Sequence, residues 1–134
     1  MLEKIDHLGV AVKSIDQALE FYRDTLGIEP TGIEEVPSQK VRVAFLPVGE
    51  SNIELLESTT DDGPIARHIE KRGEGIAHLA FRVKDIESAM ADLKEKGVRL
   101  LSDTPLPGAH GARIVFIHPK AANGILIELC ERND

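Results

Sequence analysis

Between Ile5 and Val12, Leu8, Val10 and Val12 lie on one side of an extended chain, and His7 and Gly9 on the other. The stretch from Ile76 to Val83 repeats the arrangement, with Leu79, Phe81 and Val83 opposite His78 and Ala80. Both read as half-buried strands. A shift of 71 positions superposes them, pairing His7 with His78, Leu8 with Leu79, Val12 with Val83, Lys13 with Lys84, Ile15 with Ile86 and Ala18 with Ala89. Self-similarity at a fixed shift is the signature of a unit used more than once.

After each strand the apolar period lengthens to that of a helix. Ser14, with Gln17 three positions on, and Asp85 stand where N-caps belong. Ile15, Ala18, Leu19, Tyr22 and Leu26 line one face of the first helix, and Ile86, Ala89, Met90 and Leu93 that of the second. Gly27 and Gly97 supply the ends. Three strand-like runs follow each helix: GIEPTGIEEV, KVRVAFLPV and NIELLE in the first half, GVRLLSD, ARIVFIHP and GILIELCE in the second. The repeated unit is therefore βαβββ, with module one at about 1–60 and module two at about 75–134. Between them, over about 61–74, Gly63-Pro64 and the Ile65/Ile69 spacing predict a short linking helix.

The fold class expected is α+β: a single domain of two tandem βαβββ modules forming one curved mixed sheet. Its concave face, turned away from the helices, is where a ligand belongs. A ferredoxin-like arrangement repeats strand-helix-strand and does not accommodate three strands in a row. The charge narrows the partners: 134 residues with a net charge of −7 make a poor binder of nucleic acid or of an anionic membrane surface. One cysteine, Cys130, excludes an internal disulfide and a thiolate metal cluster. MLEKIDHLGV has no signal-like apolar core and no segment is apolar enough to span a bilayer, so a cytoplasmic chain is expected.

The last strands of the halves, IELLE and IELCE, also correspond, and this pairs Glu54 with Glu128. Glu128 sits between Leu126 and Cys130 on its own face and Ile127 and Leu129 on the other. Burying such a carboxylate is costly unless a cation or strong donors meet it. Pseudo-twofold packing would bring His7, Glu54, His78 and Glu128 together. Two imidazoles and two carboxylates suit a six-coordinate divalent ion such as Co²⁺, Mn²⁺, Ni²⁺, Zn²⁺ or Mg²⁺, with two positions left open. The competing reading is an arginine partner for the carboxylate, Arg42 or Arg113. Cys130 reads as a packed small hydrophobe and His68 as a solvated residue of the linking helix. PGAHGA at 107–112 reads as a mobile loop over the site, with His110 a candidate contact.

This doubled unit, with His and Glu at these places, resembles the vicinal oxygen chelate superfamily over essentially the whole chain. Within it, DHLGVAV, GPIARHIEKRGEGIAHLAFRV, KGVRLLSDTPLPGAHGARIVFIHPK and NGILIEL are similar to the methylmalonyl-CoA epimerases. The resemblance implies a metal-dependent epimerase, Co²⁺ leading the candidate ions, that abstracts the C2 proton of a CoA thioester through a stabilised enolate. It also implies a homodimer. Inversion needs a proton carrier on each side of C2. Glu128 is expected to be one. Some members carry a glutamate on the strand where this chain has Val43, which leaves the other role to Glu54, a metal-bound water or another residue. Arg113 and Lys120 are expected to meet the substrate carboxylate or the phosphates, with Lys71 and Arg72 as further basic candidates. The rival readings are a glyoxalase I-type lactoylglutathione lyase and a metal-free, bleomycin-binding-like sequestering module.

Overall fold

In the computed structural model, which describes residues 1–133, the two modules build one sheet. Module one contributes β1 (Leu2–Ala11), α1 (Ile15–Leu19), β2 (Gly32–Val36), β3 (Val41–Val48) and β4 (Ser51–Ser58). The linker forms α2 (Pro64–Arg72). Module two contributes β5 (Gly75–Val83), α3 (Ile86–Glu95), β6 (Leu106–Pro107), β7 (Arg113–Ile117) and β8 (Ile127–Glu131). The strand order is β2-β3-β4-β1-β5-β8-β7-β6. Thus β1 and β5, the two repeated strands, lie antiparallel at the centre, and each has the last strand of its own module parallel on its other side.

The alternation read from the sequence holds through the sheet. On the helix side, Val12, Ile15, Leu19, Leu46 and Leu55 form one buried cluster, and Val83, Ile86, Met90, Val115 and Leu129 another. Each of the larger side chains contributes about 1.5–3 kcal/mol on burial, which holds the helices on the convex face. On the concave side, Val41, Val43, Phe45 and Leu56 pack with Ile65 of α2, while Ala112, Ile114 and Cys130 form the matching wall in module two.

Both caps form as the sequence predicts: Ser14 Oγ accepts from the Gln17 amide and an Asp85 carboxylate oxygen from the Ser88 amide. Gly27 and Gly97 take φ of 79°, the left-handed turn that ends each helix. Three departures stand out. α1 is regular for one turn and then widens into a π-helical stretch over Glu20–Thr25, with the Leu26 amide donating to Phe21 O. GIEPTGIEEV pairs only from Gly32 onward. GVRLLSD does not form its expected strand. It makes a single bridge, Leu100 with Ile117, and the pairing is completed by the two-residue β6. Ser102 Oγ donates to Thr104 O and turns the chain, and Pro105 and Pro107 have no amide hydrogen to give a ladder.

α2 starts at Pro64, in the first helical position after Gly63, and buries Ile65 with Ile69 against the concave cluster. The linking helix therefore covers one end of the concave face.

Candidate functional site

Strand register explains why four polar side chains meet. Gly9 pairs with His78 and His7 with Ala80 across the central β1–β5 ladder; Glu54 lies beside Gly9 on β4, and Glu128 beside Ala80 on β8. All four point to the concave side, and all are buried. His7 Nε2 and His78 Nε2 face each other at 3.0 Å. Glu128 closes on both, with Oε1 3.3 Å from His78 Nε2 and Oε2 3.6 Å from His7 Nε2.

His7, His78 and Glu128 each offer a donor atom within 4.8 Å of the other two. Glu54 stands on the opposite edge of the His7 ring, its Oε2 3.2 Å from Nδ1, and groups with His7 and Asp6. That Nδ1 hydrogen is already committed to Asp6 Oδ1 at 2.7 Å. Glu54 Oε2 is accordingly left without a hydrogen-bond partner among the described residues. A buried acceptor without a donor is costly, and two ring nitrogens at 3.0 Å need a proton or a cation between them. Both features fit a site built for a positive ion.

Electrostatics separate the members. Burial would push the His7 imidazole down, but the Asp6 hydrogen bond, with Glu128 and Glu54 nearby, raises it to about 10. Burial pushes His78 down to about 4. Burial pushes Glu54 up to about 7. Glu128 is buried as deeply, yet the His7 hydrogen bond and the His78 and His7 charges hold it below its ordinary value. The two carboxylates thus differ: one is kept ionised, the other takes up a proton near neutral pH.

Above these residues lies a cavity of about 290 Å³. Its walls are apolar, with Val41, Val43 and Leu56 from module one and Ile114 and Phe116 from module two. His68 of α2 lines this cavity and is not a purely solvated residue, because α2 turns one face onto the sheet. Cys130 is a fully buried wall residue whose thiol burial pushes well above its usual range.

The loop 107–112 does close over the site, but through Gly108, Ala109 and Ala112. His110 turns away and stacks on Phe45 with centroids 4.0 Å apart, and its amide donates to the Glu34 carboxylate at 3.1 Å. These contacts tie module two's loop to module one. Neither arginine proposed as a carboxylate partner reaches Glu54 or Glu128: Arg42 pairs with Glu57, and Arg113 with Glu87 and Glu131. Arg113 and the exposed Lys120 lie off the cavity wall.

Asp6 and Arg132 were not among the sequence candidates. The signal was present: Asp6 precedes the repeated histidine, and module two has Ala77 there. No periodicity tells which arginine meets an aspartate 126 positions away.

Residues 6–116 match the model of the glyoxalase/bleomycin resistance protein/dioxygenase superfamily. An ethylmalonyl-CoA/methylmalonyl-CoA epimerase of Cereibacter sphaeroides is 40% identical over 131 residues, spanning 96% of this chain and 98% of that protein. A solved methylmalonyl-CoA epimerase in complex with methylmalonyl-CoA and NH4+ is 40% identical with a TM-score of 0.96, covering 99% of this chain and 96% of the other. A hypothetical protein of Bacillus halodurans C-125 is 50% identical with a TM-score of 0.95, covering 98% and 95%.

Proposed function

Because the chain belongs to the glyoxalase/bleomycin resistance protein/dioxygenase superfamily, we propose that it interconverts the S and R forms of methylmalonyl-CoA by moving the proton at C2. The observation that carries this reading is Glu128, a buried carboxylate beside His7 and His78 on the floor of an apolar cavity, in a chain that matches a methylmalonyl-CoA-bound epimerase along nearly its full length.

His7, His78 and Glu128 would hold a divalent ion, Co²⁺ first among Mn²⁺, Ni²⁺, Zn²⁺ and Mg²⁺; Glu54, on the Nδ1 edge of the His7 ring, would join as the fourth ligand only by turning toward the Nε2 side. Such an ion supplies positive charge where the thioester oxygen gains negative charge. The apolar walls exclude water, so the interactions of the buried groups act at low dielectric.

Glu128, held ionised by the two histidines, takes the C2 proton from one side of the substrate. Val43 leaves its stretch of wall without a titratable group. Glu54, whose Oε2 has no hydrogen-bond partner among the described residues and which burial raises to about 7, carries the proton on the other side. Lys120 is exposed and free to meet an anionic part of the substrate, whereas Arg113 lies on the helix side of β7 against Glu87 of α3 and Glu131, away from the cavity. A homodimer belongs to the same proposal and rests on the family resemblance; sedimentation velocity tests it.

Deuterium incorporation tests the function. With Co²⁺-loaded protein and methylmalonyl-CoA in D₂O, the C2 proton signal should disappear and chelation should prevent it. No exchange with loaded protein, together with turnover of the hemithioacetal of glutathione, would move the protein to the lyase reading.

A further inference from the structure

We infer that Asp6 and Arg132 are positioning residues for His7: Asp6 engages Nδ1 so that Nε2 faces His78 and Glu128, and Arg132 locks Asp6 in place.

Three observations carry this. Asp6 is 2% exposed and its Oδ1 lies 2.7 Å from His7 Nδ1, so one edge of the ring is committed. An imidazole whose Nδ1 donates to a carboxylate presents Nε2 as its remaining donor to a ligand, which is how outer groups orient metal-binding histidines. Arg132 grips Asp6 with its planar fork, Nε donating to Oδ2 at 3.0 Å and Nη2 to Oδ1 at 2.9 Å. Arg82 Nε adds a third donation, to Oδ2 at 3.1 Å.

Arg132 reaches further than Asp6. Its Nη2 lies 3.6 Å from Glu54 Oε2, and Nη1 donates to Ala109 O, in the loop over the cavity, at 3.4 Å. One side chain past the end of β8 thus connects the first strand, the outlying carboxylate and the cavity cover. A plain structural clamp between chain ends would need the pair with Asp6 alone. The commitment of Asp6 Oδ1 to the imidazole at the shortest distance of the set is what a positioning role adds.

The inference rests on the metal-site reading above, so its test has an arm without metal. In metal-free wild-type protein, ¹⁵N-edited NMR should find a downfield His7 Nδ1 proton protected from solvent, and Asp6→Asn should lose that protection. Asparagine keeps the volume but has one acceptor oxygen: at the Oδ1 place it sets an NH₂ against the Arg132 and Arg82 Nε–H donors, and turned to meet those donors it leaves the imidazole Nδ1 facing the NH₂. Co²⁺ alone, followed by calorimetry and visible absorption, is the second arm. Asp6→Asn and Asp6→Ala should weaken Co²⁺ binding about 10- to 100-fold with a changed spectrum. Arg132→Lys, which keeps the charge and loses the fork, should fall between them and wild type. Arg42→Ala, which breaks the remote Arg42–Glu57 pair, should leave Co²⁺ binding unchanged. Should Asp6→Ala fail to fold, Asp6→Asn and the wild-type NMR signal still decide. Folded Asp6 variants that bind Co²⁺ within twofold of wild type, with the same spectrum, overturn the inference, as does an unprotected His7 Nδ1 in wild type. If wild type itself takes up no Co²⁺, the metal reading fails and the NMR arm alone judges the orientation of His7.

Discussion

His7 and His78 occupy equivalent places in the two modules, yet they are held by different physics. His7 is gripped by polar groups, Asp6 at its Nδ1 and Arg132 behind Asp6. His78 is set by shape. A Cβ added at Gly9 would lie 2.3 Å from its Cε1, so the ring occupies space that only a glycine leaves open, and the Phe116 ring meets it edge-on at 5.9 Å. The counterpart of Gly9 is Ala80, whose methyl fits beneath the His7 side of the site. A repeat can therefore preserve donor type and position while its two copies use separate means of orientation. The same divergence appears at the edges: module one has the five-residue β2, and module two trades that strand for the proline-bearing loop that crosses to Phe45 and Glu34.

The strongest test of the pairing of modules is Glu128→Gln. It should lower epimerisation by about 10²- to 10⁴-fold with the circular dichroism unchanged; near-normal turnover would remove Glu128 from the chemistry. Its counterpart Glu54→Gln, compared in the same assay, shows whether the two carboxylates share the work. Next come the histidines. His7→Ala should fail to hold a stoichiometric divalent ion, and full occupancy by elemental analysis would end its role as a ligand.

Gly9→Ala then probes the sterically set half. The added methyl must push the His78 ring aside, costing about 1–3 kcal/mol in thermal or denaturant unfolding and weakening Co²⁺ binding. The mirror change Ala80→Gly should cost only about 0.5–1 kcal/mol, through backbone entropy, with the site intact. Equal effects of the two substitutions would contradict the division between steric and polar support. The smallest functional effect is expected for Cys130→Ala, which should spare activity and cost roughly 1–3 kcal/mol of stability through lost packing. Its native thiol should also resist alkylation at neutral pH, since burial keeps it protonated.

Much of this was legible because it is written locally. The alternation around His7 and His78, the caps at Ser14 and Asp85, and the turns at Gly27 and Gly97 depend on neighbours within a few positions, and each formed as read. The seven-residue run GVRLLSD misled because its apolar residues outweighed two downstream prolines, and strand formation depends on what a partner edge can pair with. His68 misled because one side of a short helix looks solvated until its docking direction is known.

The repeat determined, by itself, that two imidazoles and two carboxylates come in matched pairs on one face of a doubled sheet, because side-chain direction in a strand follows from parity alone. Only the tertiary structure decided that three of the four converge while Glu54 stands apart beside Arg132, its Oε2 without a hydrogen bond among the described residues, that Asp6 is shared between His7 and Arg132, and that Arg42 and Arg113 are taken by other partners. Those outcomes are competitions among charges distant in sequence for the same buried space. They are settled by distances that no one-dimensional pattern contains.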